Sequence, residues 1–157
     1  MQLPQRFSIT VSDSLKYSLF FLTSLQDSKT IIRKGDYVLF TLSDRPLIQK
    51  VLSESWKNEP HAARFLQNRE LYFIKEVVCT PGDWFRNDGE DFYCNSDYLG
   101  RAKSLSLNHS PLEHFTFNGK VPEGRLAAFG HSRDSFDSRY FGFITQKEVR
   151  SIAWPVW

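Results

Sequence analysis

The sequence has few of the features that mark membrane-spanning, nucleic-acid-binding or zinc-binding proteins. None of its segments approaches the roughly 18 consecutive apolar residues that a membrane helix needs, and the longest apolar cluster near the start is residues 19–22. The first residues, which include Pro4 and Arg6, do not resemble a signal peptide. The net charge of +2 is too small to predict charge-driven binding to nucleic acid. The two cysteines, Cys79 and Cys94, have no histidine at ligand spacing, so we expect no metal or other cofactor.

The chain is instead rich in aromatic residues (15%) and in short strand patterns separated by turns. Its length of 157 residues predicts a single domain over residues 1–157. Strands are predicted at residues 7–11, 37–42, 71–79, 92–94, 115–117, 126–129 and 151–157. The third of these ends at the turn Pro81-Gly82-Asp83, and residues 115–117 precede Asn118-Gly119, a pair typical of hairpin turns.

One helix is predicted over residues 62–68, with Asn58 as its cap. Many short strands with one short helix indicate a mainly β fold, an antiparallel β-barrel or folded sheet. The turn-rich stretch 84–117 is predicted to form a smaller β flap on that body.

Polar and aromatic side chains are concentrated together in residues 130–143. Charged residues such as Arg133 and Asp134 are followed directly by Tyr140, Phe141 and Phe143. A polar network against an apolar wall is typical of active sites, and it is also typical of ion pairs that only stabilise the fold.

Lys75 lies inside the strand pattern of residues 71–79, on the face that also carries Phe73 and Val77. The lysine either lies at a sheet edge with its amine in water or is partly buried. Burial lowers the pKa of a lysine, and a neutral lysine can act as a general base for a serine nucleophile. Ser12 and Ser14 follow the first strand and would project to one side if extended; the alternative is an ordinary polar strand end.

Four blocks of sequence, in fixed order, resemble the type I signal peptidases, especially the branch that serves conjugative transfer, the TraF-like peptidases. Residues 34–40 resemble the family's K-G-D-x-V-x-F block, and residues 74–83 resemble its I-K-R-V-V-x-x-P-G-D block. Residues 121–124 with Gly130 resemble the approach to the last block, and SFDSRYFG at 135–142 closely resembles that block itself. The blocks and the serine segment together extend from Ser12 to Gly142.

The resemblance implies a role for each matching residue. Ser14 matches the nucleophile and Lys75 the general base, while Ser12, with the backbone N–H of Ser14, matches the oxyanion hole. Where the family usually has a proline shortly after its nucleophile, this chain has Lys16 and Tyr17.

The last block supplies the implied supporting residues. Ser135 matches the serine that orients the lysine amine, and Asp137 with Arg139 matches a pair that holds the block near the lysine. The block is one residue shorter than in the family, which leaves the alignment of Arg133 and Asp134 open.

The resemblance also implies a location and a covalent link. The family's catalytic domain works at the periplasmic face of the inner membrane, where a Cys79–Cys94 disulfide would tie the base of the flap to the lysine strand. Members normally carry a membrane anchor that this chain does not show, so we expect either a shortened chain or surface contact with the membrane. Residues 19–22 could provide such a contact, and a buried strand is the other interpretation.

These features together predict a serine endopeptidase with a Ser/Lys dyad that processes exported precursor proteins, such as a pilin or another component of conjugative type IV secretion. Some relatives join pilin ends instead of hydrolysing, and the sequence does not separate the two outcomes. The alternatives are a self-cleaving Ser/Lys protein of the repressor type, and a non-catalytic binding module on the same fold. No nucleic-acid partner is expected.

Overall fold

A computed structural model describes residues 7–9, 15–25, 30–42, 45–46, 48, 71–106 and 109–156. The strands, in chain order, are β1 (Phe7–Ile9), β2 (Leu19–Ser24), β3 (Tyr37–Thr41), β4 (Tyr72–Cys79), β5 (Trp84–Asp88), β6 (Asp91–Cys94), β7 (Asp97–Arg101), β8 (Asn118–Lys120), β9 (Arg125–Phe129), β10 (Ile144–Thr145) and β11 (Val149–Pro155). A short helix, α1, spans Ser138–Phe141.

The strands form two antiparallel sheets. The larger has the order β1-β2-β11-β3-β4-β9-β10, and the smaller, which we call the flap, has the order β7-β6-β5-β8. Both sheets are open. The predicted mainly β, antiparallel fold is therefore confirmed, and the flap sheet extends to Lys120. The predicted helix at 62–68 lies outside the described residues.

One predicted strand is wrong. Residues 115–117 form no strand, and the expected turn pair Asn118-Gly119 lies inside β8, where Gly119 pairs with Phe85. The aromatic rings of Phe115 and Phe117 instead pack into the flap core. The turn tendency of Asn-Gly is overridden because this segment completes an edge of the flap sheet.

The described residues form three buried hydrophobic clusters. The main core contains Val38, Phe40, Val77 and Phe141; the flap core contains Phe85, Phe92 and Phe129; and a third, the outer cluster, contains Leu15, Phe20, Tyr37, Ile74 and Ala153. Phe20 is fully buried and Leu22 packs against the outer cluster, which favours the buried-strand interpretation of residues 19–22. Within the described ranges, no helix has the length and apolar character to cross a membrane.

Two similar turns set the register of β3 and β4. Gly35 and Gly82 have φ near +93° and +91°, a conformation that favours glycine, and in each case the following aspartate accepts a backbone N–H hydrogen bond. The amide of Gly35 donates to the carbonyl of Val77, and that of Val77 donates to Asp36. This pairing places Lys75 opposite Val38.

Candidate active site

Lys75 lies in the middle of the larger sheet, and its side chain is buried. Strand β4 pairs with β3 on one side and with β9 on the other, so the edge position considered from the sequence does not apply. Lys75 is only 5% exposed. Because neighbouring residues on a strand point to opposite faces, its side chain shares the main-core face with Phe73 and Val77.

Burial changes the acid–base chemistry of this lysine. Desolvation lowers the pKa of Lys75 from 10.5 to about 8, against the opposing attraction of the Asp137 carboxylate. The Arg139 guanidinium lowers the pKa further. At pH 7 a pKa of about 8 leaves about a tenth of Lys75 in the neutral form that a general base requires.

Among the described residues, the Lys75 amine has the hydroxyl of Ser135 as its close polar partner. Lys75 Nζ donates to Ser135 Oγ at 2.7 Å, although the two residues are 60 positions apart in the chain. Ser135 is 3% exposed, so the contact is shielded from water. A hydrogen bond in this environment restricts the direction in which the lysine amine can point.

Asp137 and Arg139 form a buried ion pair behind this contact. The Arg139 guanidinium donates from Nε to Oδ1 of Asp137 (2.9 Å) and from Nη2 to Oδ2 (2.7 Å), a bidentate geometry. Nη2 also approaches the carbonyl of Ser135 at 3.4 Å. The pair thus holds the backbone of the serine that contacts Lys75.

The same two residues fix the surrounding segment to both sheets. Asp137 caps α1 and accepts the amide of Gly130 at the end of β9, while Arg139 donates to the carbonyl of Arg101 at the end of β7. The hydroxyl of Tyr140 accepts the amide of Lys103. The charged residues of 130–143 therefore link β9, the helix and the flap.

Aromatic residues of the last block pack beside the lysine face, as the sequence suggested. Phe141 is buried in the main core and Phe136 packs against it, with the two ring centroids 5.5 Å apart. Phe141 also contacts Phe73, the residue two positions before Lys75 on its strand face. This wall contributes to the desolvation that lowers the lysine pKa.

A further ion pair that the sequence did not indicate holds the end of the block. Arg45 pairs with Glu148 and donates to the carbonyls of Phe141 and Phe143. The pKa of Glu148 lies below its usual value, because hydrogen bonds from Arg45 and Thr145 outweigh the opposing effect of burial. Arg45 and Glu148 are 103 positions apart, a separation at which no local pattern could reveal them.

A disulfide joins Cys79, at the end of β4, to Cys94 in the flap. Both cysteines are fully buried. Asp83 lies close enough to the two sulfur atoms to form a potential three-ligand group, but the sulfurs are bonded to each other and are not free thiolates. The Asp83 carboxylate is occupied by Thr80 and Asn95.

The two candidate serines of the N-terminal segment, Ser12 and Ser14, lie outside the described residues. Leu15, the next residue, is described and is buried in the outer cluster. The same cluster contains Ile74, which directly precedes Lys75. The residues adjacent to Ser14 and to Lys75 thus belong to one packed group.

Three residues beside the lysine were not predicted from the sequence. Glu76, which follows Lys75, accepts a hydrogen bond from the hydroxyl of Tyr37 and pairs with the imidazole of His131. Tyr37 and Glu76 lie in two of the family-like blocks and His131 follows Gly130, at separations of 39 and 55 positions from Glu76, so only the fold brings the three side chains together.

Comparisons with known proteins identify the family of this chain. Residues 4–157 match the family described as signal peptidase, peptidase S26. Signal peptidase I V of Bacillus subtilis (strain 168) is 31% identical over 90 residues, which cover 50% of this chain and 54% of that protein. The chain thus spans about half the length of this curated relative. A crystal structure of a signal peptidase I from Enterococcus faecalis V583 aligns with 80% of this chain and 98% of its own, at a TM-score of 0.43 and 19% identity.

Proposed function

The chain belongs to the signal peptidase family, peptidase S26, and on this basis we propose that it is a serine endopeptidase that cleaves precursor proteins. The observation that carries the proposal is the buried contact between Lys75 and Ser135, with the lysine pKa lowered to about 8. A buried lysine that donates to a hydroxyl rather than to a carboxylate is poorly explained by stability alone, because burial of an amine is costly.

In this mechanism Ser14 is the nucleophile and Lys75 the general base. The neutral Lys75 amine takes the proton of the Ser14 hydroxyl as the serine oxygen bonds to the scissile carbonyl carbon. The hydroxyl of Ser12 and the amide of Ser14 stabilise the resulting oxyanion. Collapse breaks the peptide bond, and the protonated Lys75 gives its proton to the leaving amine.

The acyl-enzyme on Ser14 is then released with Lys75 acting as the base for a second time. Lys75 takes a proton from water, the hydroxide adds to the ester carbonyl, and Ser14 regains its proton from the lysine. Ser135 keeps the Lys75 amine directed throughout, and the Asp137–Arg139 pair keeps Ser135 in place. At pH 7 a pKa of about 8 leaves roughly one lysine in ten neutral, against about one in 3,000 at the ordinary value.

The finer assignment rests on the sequence resemblance. We assign the chain to the TraF-like branch, with a pilin precursor or another conjugative type IV secretion component as its substrate. The site of action is the periplasmic face of the inner membrane, and the membrane surface is the second partner. The Cys79–Cys94 disulfide supports an oxidising compartment.

The test is cleavage of a membrane-inserted pilin precursor by purified protein, followed by gel and mass spectrometry. Ser14→Ala and Lys75→Ala should each abolish processing while the circular dichroism spectrum stays that of the wild type. The matched controls Ser104→Ala and Lys147→Ala change an exposed serine and an exposed lysine and should process normally. Processing at the wild-type rate by either dyad variant would show that the dyad assignment is wrong.

The mass of the product separates the two fates of the acyl-enzyme. Hydrolysis gives a linear chain, whereas joining the acyl group to the pilin's own amine gives a cyclic chain lighter by one water. A folded protein that binds the precursor without cleaving it would instead identify a binding module.

A further inference from the structure

Three side chains that the mechanism does not use contact one another beside Lys75. The hydroxyl of Tyr37 donates to Glu76 Oε2 at 3.4 Å, and His131 Nε2 contacts the same oxygen. The rings of Tyr37 and His131 meet edge to face, with their centroids 6.1 Å apart. We call these residues the Tyr37–Glu76–His131 cluster.

Each member of the cluster belongs to a segment that carries a different residue of the proposed mechanism. Glu76 follows Lys75 on β4, and His131 lies four positions before Ser135. Tyr37 is buried in the outer cluster together with Leu15, the residue after Ser14. One set of contacts therefore joins the nucleophile segment, the base strand and the loop that orients the base.

The cluster and the Lys75–Ser135 contact attach the loop to opposite faces of β4. Neighbouring strand residues point to opposite faces, so Ser135 reaches Lys75 on the main-core face while His131 reaches Glu76 on the other. Held at two adjacent residues and on both faces, residues 131–135 have little freedom to shift relative to the lysine.

Partial burial and the neutral tyrosine hydroxyl help to maintain the contacts within the cluster. The side chains of Glu76 and His131 are 29% and 38% exposed, so water screens their interaction only in part. Burial, followed by the nearby Glu76 charge, raises the pKa of Tyr37 to about 12. The tyrosine hydroxyl therefore remains a hydrogen-bond donor to Glu76 throughout the neutral range.

We propose that Tyr37, Glu76 and His131 are positioning residues, which hold the Ser135 loop and the segment after Ser14 in place around Lys75. This inference rests on the proposed serine-peptidase function. In this proposal the three residues act through Lys75, Ser135 and the segment that contains Leu15, and they take no part in the proton transfers.

The first test is steady-state kinetics of Glu76→Gln, His131→Ala and Tyr37→Phe with the pilin precursor. We expect kcat to fall about tenfold in the first two and less in the third, with KM within about twofold of wild type, because misplacement acts on the chemical step. The double variant E76Q/H131A should be no slower than the slower of the two single variants, because both changes break the same Glu76–His131 contact. The swapped variant E76H/H131E should recover most of the loss.

The second test reads the position of the lysine without any proteolysis. The pKa of Lys75 is measured by NMR from its side-chain signals in wild type and E76Q. Removing a nearby negative charge by itself lowers the pKa of Lys75, whereas a loosened loop exposes the amine and raises it. The proposal requires the pKa to rise.

A matched control breaks an ion pair away from the site. Lys34 and Asp97 form an exposed pair at 3.0 Å, and Lys34→Gln should leave both kcat and the Lys75 pKa at their wild-type values. Wild-type kcat in both E76Q and H131A, or a Lys75 pKa in E76Q that is unchanged or lowered, would overturn the positioning role. If the wild-type protein cleaves no precursor, the proposed function fails, and the direction of the Lys75 pKa change in E76Q alone decides whether the cluster positions the lysine.

Discussion

Replacing Lys75 with methionine should stabilise the protein at neutral pH and have less effect at high pH. The methionine fills a similar volume without an ionisable amine. The pKa of Lys75 is about 8 in the folded protein and 10.5 when the lysine is in water. Between these values the unfolded chain binds the proton and the folded chain does not, so the stability contributed by this group rises with pH.

The size of the effect follows from the difference between the two pKa values. The change in pKa from 10.5 to about 8 means that Lys75 destabilises the fold by about 3 kcal/mol below pH 8, and that this loss disappears above pH 10.5. Between pH 7 and pH 10 the difference between K75M and wild type should therefore shrink by about 2.5 kcal/mol.

The assay is urea unfolding of both proteins at several pH values from 7 to 10, followed by fluorescence. Taking the difference between the two proteins cancels the titration of the tyrosines and all other groups. The exposed Lys147 provides the control, and the difference between K147M and wild type should stay constant over the range. A K75M difference that does not change with pH would refute the claim that Lys75 is buried with a lowered pKa.

Three further predictions concern the residues around the lysine and the disulfide. Ser135→Ala should reduce kcat about tenfold or more with little change in KM, because the lysine amine loses the hydroxyl that directs it; an unchanged kcat in precursor cleavage would contradict its orienting role. Asp137→Asn should destabilise the fold by about 3–5 kcal/mol in urea unfolding, because the Arg139 charge stays buried without its partner; a loss below about 1 kcal/mol would contradict that account. Replacing both Cys79 and Cys94 with serine should lower the free energy of unfolding by about 3 kcal/mol, because the disulfide links residues 15 positions apart and so restricts the unfolded chain. An unchanged melting temperature would show that the disulfide contributes little to stability.

The strands that the sequence predicted correctly are those in which local pattern and tertiary packing agree. Strand β4, for example, ends at Cys79 as predicted, because the turn residues after it cannot continue a strand. The pattern failed at Asn118-Gly119, where a pair that favours turns lies inside an edge strand. Local propensity is weak compared with the pairing and burial that completed the flap.

The candidate site divides in the same way. Residue types and block order pointed to Lys75 and Ser135, and the structure places their side chains in contact. The catalytic roles of Ser12 and Ser14 remain predictions. The sequence did not predict the Tyr37–Glu76–His131 cluster or the Arg45–Glu148 pair, because their members are far apart in the chain and are common residue types.

The sequence by itself determined that the fold is mainly β, which turns end the strands, and which residues are able to carry Ser/Lys chemistry. These depend on local conformational preference and on the functional groups available. Only the tertiary structure decided that Lys75 lies in a central strand with a buried amine and a pKa of about 8. Desolvation depends on what packs around a group, and here the packing comes from residues about 60 positions away, including Ser135 and the Asp137–Arg139 pair.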